Sequence, residues 1–224
     1  FVGWDERETE AYDACVKSLH QNTNGEVIVI PLRMEELEQR KLYYRRKNYP
    51  NEQASTQFAF TRFLVPRLMN YNGWAVFVDC DFIFTKGVEH LFSLQNDKYS
   101  VMCVKHDYTP STSIKMDDQK QTVYPRKNWS SLMLFNCVHP ACGHLNTNSV
   151  STNSGAWLHQ MRWTKDEHIG EIPVDWNWLV GEYDKQSLPD GHVPSAIHYT
   201  LGGPWFDNCQ DCDFAEEYMK YAYH

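Results

Sequence analysis

The chain has 224 residues, a formal net charge of -8, 42% hydrophobic residues and 22% charged residues. That balance is enough to bury the core of one domain, and it excludes a disordered or collagen-like chain. It also argues against a nucleic-acid binder, because the dense cationic run is confined to Arg40, Lys41, Arg45, Arg46 and Lys47, which we expect on a solvated helix face or loop.

No apolar run approaches the roughly 18 residues of a membrane span, and the first residues lack the basic and apolar regions of a signal peptide. Seven is an odd number of cysteines, and Cys15, Cys80, Cys103 and Cys137 fall in segments expected to be buried. We therefore expect a soluble chain in a reducing, cytoplasmic setting. Cys209 and Cys212 form one Cys-x-x-Cys without a second metal-binding pair, which points to a surface loop rather than a zinc site.

Phe1-Val2-Gly3 looks like the end of a strand. Residues 8–19 then place Ala11, Ala14, Cys15, Ser18 and Leu19 at helical spacing, with acids near the start where the helix dipole favours them. Residues 27–30 are β-branched and predict a buried second strand, followed by a charged, tyrosine-rich connection to about residue 52, the segment expected to move most. From about residue 55, Phe58, Phe63, Leu64 and Leu68 make a helical apolar face. Asn72-Gly73 breaks it before the apolar run 74–78, a central strand.

Later strands are expected at 99–104, 131–135 and 196–199, and helices at 155–161 and 215–221, the last inside a wrapping tail that begins near Leu201. Strands and helices alternate, so the fold class is α/β, one domain with a mainly parallel central sheet flanked by helices. Ligands of such sheets bind beyond the strand C-termini.

The strongest chemical signal lies there. In Val76-Phe77-Val78-Asp79-Cys80-Asp81, two carboxylates leave the end of an apolar strand. Their mutual repulsion is relieved by a hard divalent cation, magnesium or manganese, which commonly joins such carboxylates to substrate phosphates. Asp-x-Asp alone is a weak motif. A phosphohydrolase of the haloacid-dehalogenase type also carries it, but in the first strand and followed two residues on by Thr or Val, where this chain has Ile83.

Four blocks in order carry a resemblance: Gly3-Trp4-Asp5-Glu6-Arg7 with Tyr12; Thr61-Arg62-Phe63; Val78-Asp79-Cys80-Asp81; and His198-Tyr199-Thr200-Leu201-Gly202-Gly203-Pro204-Trp205. Across nearly the whole chain they resemble GT-A glycosyltransferases close to family 8, the group of glycogenin and bacterial lipopolysaccharide sugar transferases. The resemblance implies a Rossmann-like nucleotide-diphospho-sugar transferase fold. It also implies that Gly3, Trp4, Asp5, Arg7 and Tyr12 line a nucleoside pocket and that Arg62 reaches the donor. On the same resemblance Asp79, Asp81 and His198 are expected to hold the metal, Cys80 to belong with the donor-binding residues, and Gly202 and Gly203 to offer backbone N–H groups to the diphosphate.

The family often has Lys before Pro-Trp, where this chain has Gly203, so the cation for the leaving diphosphate must come from elsewhere. Lys127 is the first candidate, with Arg126 and Lys115 behind it. Residues 126–131 stand where relatives face the donor sugar, and Lys105-His106-Asp107-Tyr108 should line the cleft. Asp175 and Asn177 stand where relatives contact the transferred sugar and acceptor, and Asp175 is the first base to consider if the reaction inverts.

The implied reaction moves a hexose from a UDP-sugar to an acceptor hydroxyl of a glycan or glycoprotein, with retention. Alternatives are a sugar-phosphate nucleotidyltransferase, against which the acidic, glycine-poor first loop speaks, and a non-catalytic nucleotide- or sugar-binding module, against which the retained Asp79, Asp81 and His198 speak.

Overall fold

A computed structural model describes residues 1–49, 54–107 and 125–222. Its centre is the apolar run predicted as a strand, β3 (Trp74–Val78), with β1 (Val2–Gly3) on one side and β6 (Leu132–Asn136) on the other. The six-stranded sheet runs β2-β1-β3-β6-β5-β7, where β2 is Pro31–Leu32, β5 is Val101–Cys103 and β7 is Ile169–Glu171. Three of its five pairings are parallel, and β6 runs antiparallel to both β3 and β5. All five residues of β6 are buried, as a strand covered on both faces requires.

A second, three-stranded sheet holds β4 (Phe82–Phe84), β9 (Ala196–His198) and β8 (Trp178–Leu179) in the order β4-β9-β8. Helix α1 (Thr9–Asn22) buries the predicted stripe of Ala11, Ala14, Cys15, Ser18 and Leu19 and packs on β1 and β4. Ser18 ties the two together: its hydroxyl donates to the Cys15 carbonyl at 2.7 Å and accepts from the Phe84 N–H at 3.0 Å. The tail forms the short helix Ala215–Met219, and Phe214, Tyr218 and Tyr221 pack with Ile83, Ile197 and Tyr199 in a second apolar cluster. Six of the seven cysteines are buried, and Cys212 is partly exposed. None of the described helices is long and apolar enough to cross a membrane.

Four expectations need correction. The second strand is not 27–30 but Pro31–Leu32, and Ile28 is 76% exposed. With β1 only two residues long, the ladder has room for just that pair, and the Ile30 carbonyl takes the Val2 N–H at 3.0 Å. Pro31 is tolerated because β2 is an edge strand. The helix expected from residue 55 is a 3-10 turn (Thr61–Leu64) running into a short α-helix (Val65–Leu68) with Pro66 in its first turn. Finally, Arg45 of the basic run is buried: its guanidinium sits 4.0 Å over the Phe60 ring and donates to the Val150 and Asn153 carbonyls, while Arg40, Lys41, Arg46 and Lys47 stay exposed. In the tail, Cys209 is likewise buried rather than on a surface loop.

Gly3 is fixed by packing, since a Cβ there would lie 2.5 Å from the buried Phe58 ring. Gly3→Ala is therefore expected to destabilise the fold by about 1–3 kcal/mol, read as a lower urea midpoint with unchanged slope.

Candidate functional site

At the end of β3 the Asp79 N–H donates to the Ser131 carbonyl at 2.9 Å, which fixes the point where the chain leaves the sheet. Three residues later it forms β4, paired antiparallel with β9 so that Phe82 faces His198. The Tyr199 N–H donates to the Asp81 carbonyl at 2.9 Å and extends this ladder by one step. Two distant segments are thereby locked together. The His198 ring stacks on Phe82 at 4.3 Å, and its Nε2 lies 3.3 Å from Asp81 Oδ2. Ligand-capable atoms of Asp79, Asp81 and His198 all lie within 4.8 Å of one another, the one such group among the described residues.

Around them opens a cavity of about 300 Å³. Of the residues singled out in the sequence, Arg7, Arg62, Asp79, Asp81, His198 and Gly202 line it, together with Asn128. Arg62 is 5% exposed, and its Nη1 lies 2.7 Å from Asp79 Oδ1 and donates to the Ser130 carbonyl at 2.9 Å. The guanidinium lies 4.9 Å from the centre of the Phe77 ring, a geometry that holds a charge without water around it.

Glu8 is the wall residue that sequence reasoning missed. Burial pushes its carboxyl up to about 7, Asp81 adds to the rise, the Cys80 thiol donating to Oε2 at 3.3 Å opposes it, and Asp5 and Asp79 raise it further. The signal was present in Asp5-Glu6-Arg7-Glu8, a capping-box spacing in which Glu8 would reach back to the start of its own turn. Instead its side chain meets Cys80 across the cavity wall. Cys80 is fully buried, and burial raises its thiol well above the ordinary value.

Other expected residues do not reach the cavity. Asp5 is fully buried and caps the 3-10 turn Glu6–Glu8. Both its oxygens are occupied, by the Arg7 N–H and Nε at 3.0 Å each, Arg7 Nη2 at 2.8 Å and the Gln57 N–H at 2.9 Å. Burial works to raise the Asp5 carboxyl, but these donors outweigh it and hold it low. Trp4 lies under the Arg33 guanidinium at 4.1 Å, and burial raises the half-buried Tyr12 phenol to about 12. Gly3 serves packing against Phe58. His106 is buried against the Tyr183 hydroxyl at 2.6 Å, and burial lowers its ring to about 3.

The glycine loop is also used differently. The Gly202 N–H donates to the Tyr199 carbonyl at 2.8 Å, and Gly203 makes room for the Trp205 ring, which a Cβ would approach to 2.1 Å. Lys127 is 9% exposed and sits between Arg126 and Asn128, both left-handed at φ 62° and 61°. Arg126 is committed to the Gln160 carbonyl at 2.7 Å and to Asp166 at 2.6 Å. Lys115 and Tyr108 lie outside the described residues.

Asp175 turns to the loop before β9, taking His192 Nε2 at 2.6 Å and the Ser195 N–H and hydroxyl. Burial raises its carboxyl, but these hydrogen bonds outweigh that and hold it below the ordinary value, the wrong direction for a base. Asn177 is fully buried and bonds to His198 Nδ1 at 2.9 Å.

The profile of Glycosyl transferase family 8 matches residues 12–139. Protein CDI of Arabidopsis thaliana is 46% identical over 220 residues, covering 98% of this chain and 84% of that protein. Among solved structures, 98% of this chain superposes on the WbbM bifunctional glycosyltransferase (TM-score 0.63, 16% identity), on GlyE of Streptococcus pneumoniae (0.62, 14%) and on the galactosyltransferase LgtC with donor and acceptor sugar analogs (0.57, 11%). It spans 48%, 59% and 93% of those chains, so about half the length of the first two. At such identities the likeness shows the fold, which is that of GT-A glycosyltransferases. The sequence matches show the family: the chain belongs to glycosyltransferase family 8.

Proposed function

We propose that the chain transfers a sugar from a UDP-sugar to an acceptor hydroxyl of a glycan or glycoprotein, with retention, using a divalent cation held by Asp79, Asp81 and His198. The observation that carries this reading is the convergence of two carboxylates and one imidazole within 4.8 Å on the wall of the cavity. The donor set fits manganese or magnesium: carboxylate oxygens suit hard cations, and one neutral imidazole shifts the preference toward manganese. Such a cation supplies Lewis-acid stabilisation of the negative charge that develops on a departing diphosphate.

The chain's own groups have separate tasks. Arg62 offsets the Asp79 charge and holds that carboxylate in place. Arg7, anchored by Asp5 and by the Ser55 carbonyl at 2.8 Å, gives the cavity lining a cation suited to a nucleotide. Lys127, carried on a tightly turned loop beside the cavity-lining Asn128, is the proposed partner of the leaving diphosphate. We assign the whole chain to one domain, and its odd number of mostly buried cysteines supports a reducing, cytoplasmic setting.

Calorimetric titration of UDP is expected to show binding only with Mn2+, abolished by chelator and weakened at least about 100-fold in Asp81→Ala; equal binding by that variant, or none by the wild type, removes the donor-site assignment. With a UDP-sugar substrate, proton NMR of the first product formed is expected to show the donor's anomeric configuration. A third test uses chelator-treated protein. Because the folded chain holds the Glu8 proton up to about pH 7 and the unfolded chain only to about 4.5, this group binds more protons in the folded state between these values, and its contribution to stability falls as pH rises across that window, against the opposite contribution of the buried His106 and His159 rings. Glu8→Gln is expected to remove this contribution, so the melting temperature of the variant minus that of the wild type rises with pH across the window.

A further inference from the structure

His198 reaches its position through a buried chain of side chains that the proposed reaction does not itself use. His198 Nδ1 lies 2.9 Å from Asn177 Oδ1, Asn177 Nδ2 lies 2.9 Å from Ser131 Oγ, and the Ser131 hydroxyl lies 2.7 Å from the Asn128 carbonyl. Asn177 is fully buried, and Ser131 and His198 are 3% and 2% exposed, so water does not substitute for any link.

The direction of every hydrogen bond in this chain follows from its far end. A backbone carbonyl only accepts, so the Ser131 proton points to Asn128. Ser131 Oγ is left to accept, so the amide N–H of Asn177 must face it and Oδ1 must face the imidazole. The proton of neutral His198 then sits on Nδ1. The opposite amide orientation would set an acceptor against an acceptor at one of the links, in a buried place where nothing compensates for it. With Nδ1 protonated, the Nε2 lone pair is aimed at Asp81 Oδ2, 3.3 Å away. Two electron-rich atoms at that separation are brought into register by a cation shared between them.

We infer that Asn177 is a positioning residue: oriented by Ser131 and the Asn128 carbonyl, it fixes His198 in the Nδ1–H tautomer and so keeps Nε2 available as a ligand atom. This inference rests on the reading of Asp79, Asp81 and His198 as a divalent-cation site, and it moves Asn177 from sugar contact to the support of that site. Outer partners of this kind set ring orientation and ligand basicity. They also decide an alternative that this site holds close by: with the proton on Nε2, the imidazole would donate to Asp81 and close the site to a cation.

The test has two readouts besides activity. Long-range proton–nitrogen NMR of the chelator-treated protein reports the tautomer, and Mn2+ titration reports affinity. The wild type is expected to show Nδ1–H. Asn177→Leu is expected to move the proton to Nε2 and to weaken Mn2+ binding about 10–100-fold, while Asn177→Asp, which still accepts from Nδ1–H, keeps the wild-type tautomer and most of the affinity. If Asn177→Leu fails to fold, Ser131→Ala serves, because it frees the amide to turn over and is expected to populate Nε2–H. Nε2–H in the wild type, or unchanged tautomer and Mn2+ affinity in folded Asn177→Leu or Ser131→Ala, overturns the inference alone. A wild-type chain that binds no Mn2+ overturns it together with the cation site.

Discussion

The acidic end of the sheet depends on the register of one short antiparallel ladder, β4 against β9, in which Phe82 stands opposite His198. Side chains alternate faces along a strand, so a slip of one residue would turn His198 away and bring Ile197 or Tyr199 toward the carboxylates. Three contacts hold the register: the Tyr199 N–H on the Asp81 carbonyl, the Phe82 ring stacked on the imidazole, and Ile83 and Ile197 packed together in the second apolar cluster. The small sheet thus binds the two ends of the site to each other, more than 100 residues apart in sequence.

Charge is the second constraint. Asp79, Asp81 and Glu8 crowd one wall, and each answers the crowding differently. Asp79 has the Arg62 guanidinium, Asp81 faces the His198 imidazole at 3.3 Å, and Glu8 takes up a proton although the buried Cys80 thiol, donating to its carboxylate, opposes this. Arg62 is itself held by the Ser130 carbonyl and two phenylalanine rings, so it stays fixed while the cavity fills or empties. The arrangement resembles a socket preorganised for positive charge more than one built around its own hydrogen bonds.

What was legible in the sequence was whatever a long, uninterrupted pattern could carry. The five apolar residues of β3, the stripe on α1 and the carboxylates after Val78 needed only local periodicity and position. The second sheet was harder, because β4 and β8 have three and two residues, too few to establish a period, and only β9 was anticipated. The roles of Asp5, Asp175 and Asn177 could not be read for another reason. A short polar side chain beside a turn can face the cleft or its own backbone, and only the packing of distant loops, Gln57 for Asp5 and Ser195 for Asp175, decides which. Glu8 was hidden by a convincing local explanation, since an acid before a helix needs no further reason to be there.

The segment Val27-Ile28-Val29-Ile30, displaced from its expected place in the sheet, leaves a β-branched, uncharged stretch leading onto an edge strand, with Ile28 and Ile30 exposed. Such a stretch is a template on which another chain can add itself, the first step toward ordered aggregates. Glu26 and Pro31 bracket it, one by charge and the other by withholding a backbone donor from the edge. Residues so placed are of the kind that keep an exposed β-branched stretch from pairing with other chains, a task apart from the chemistry of the site.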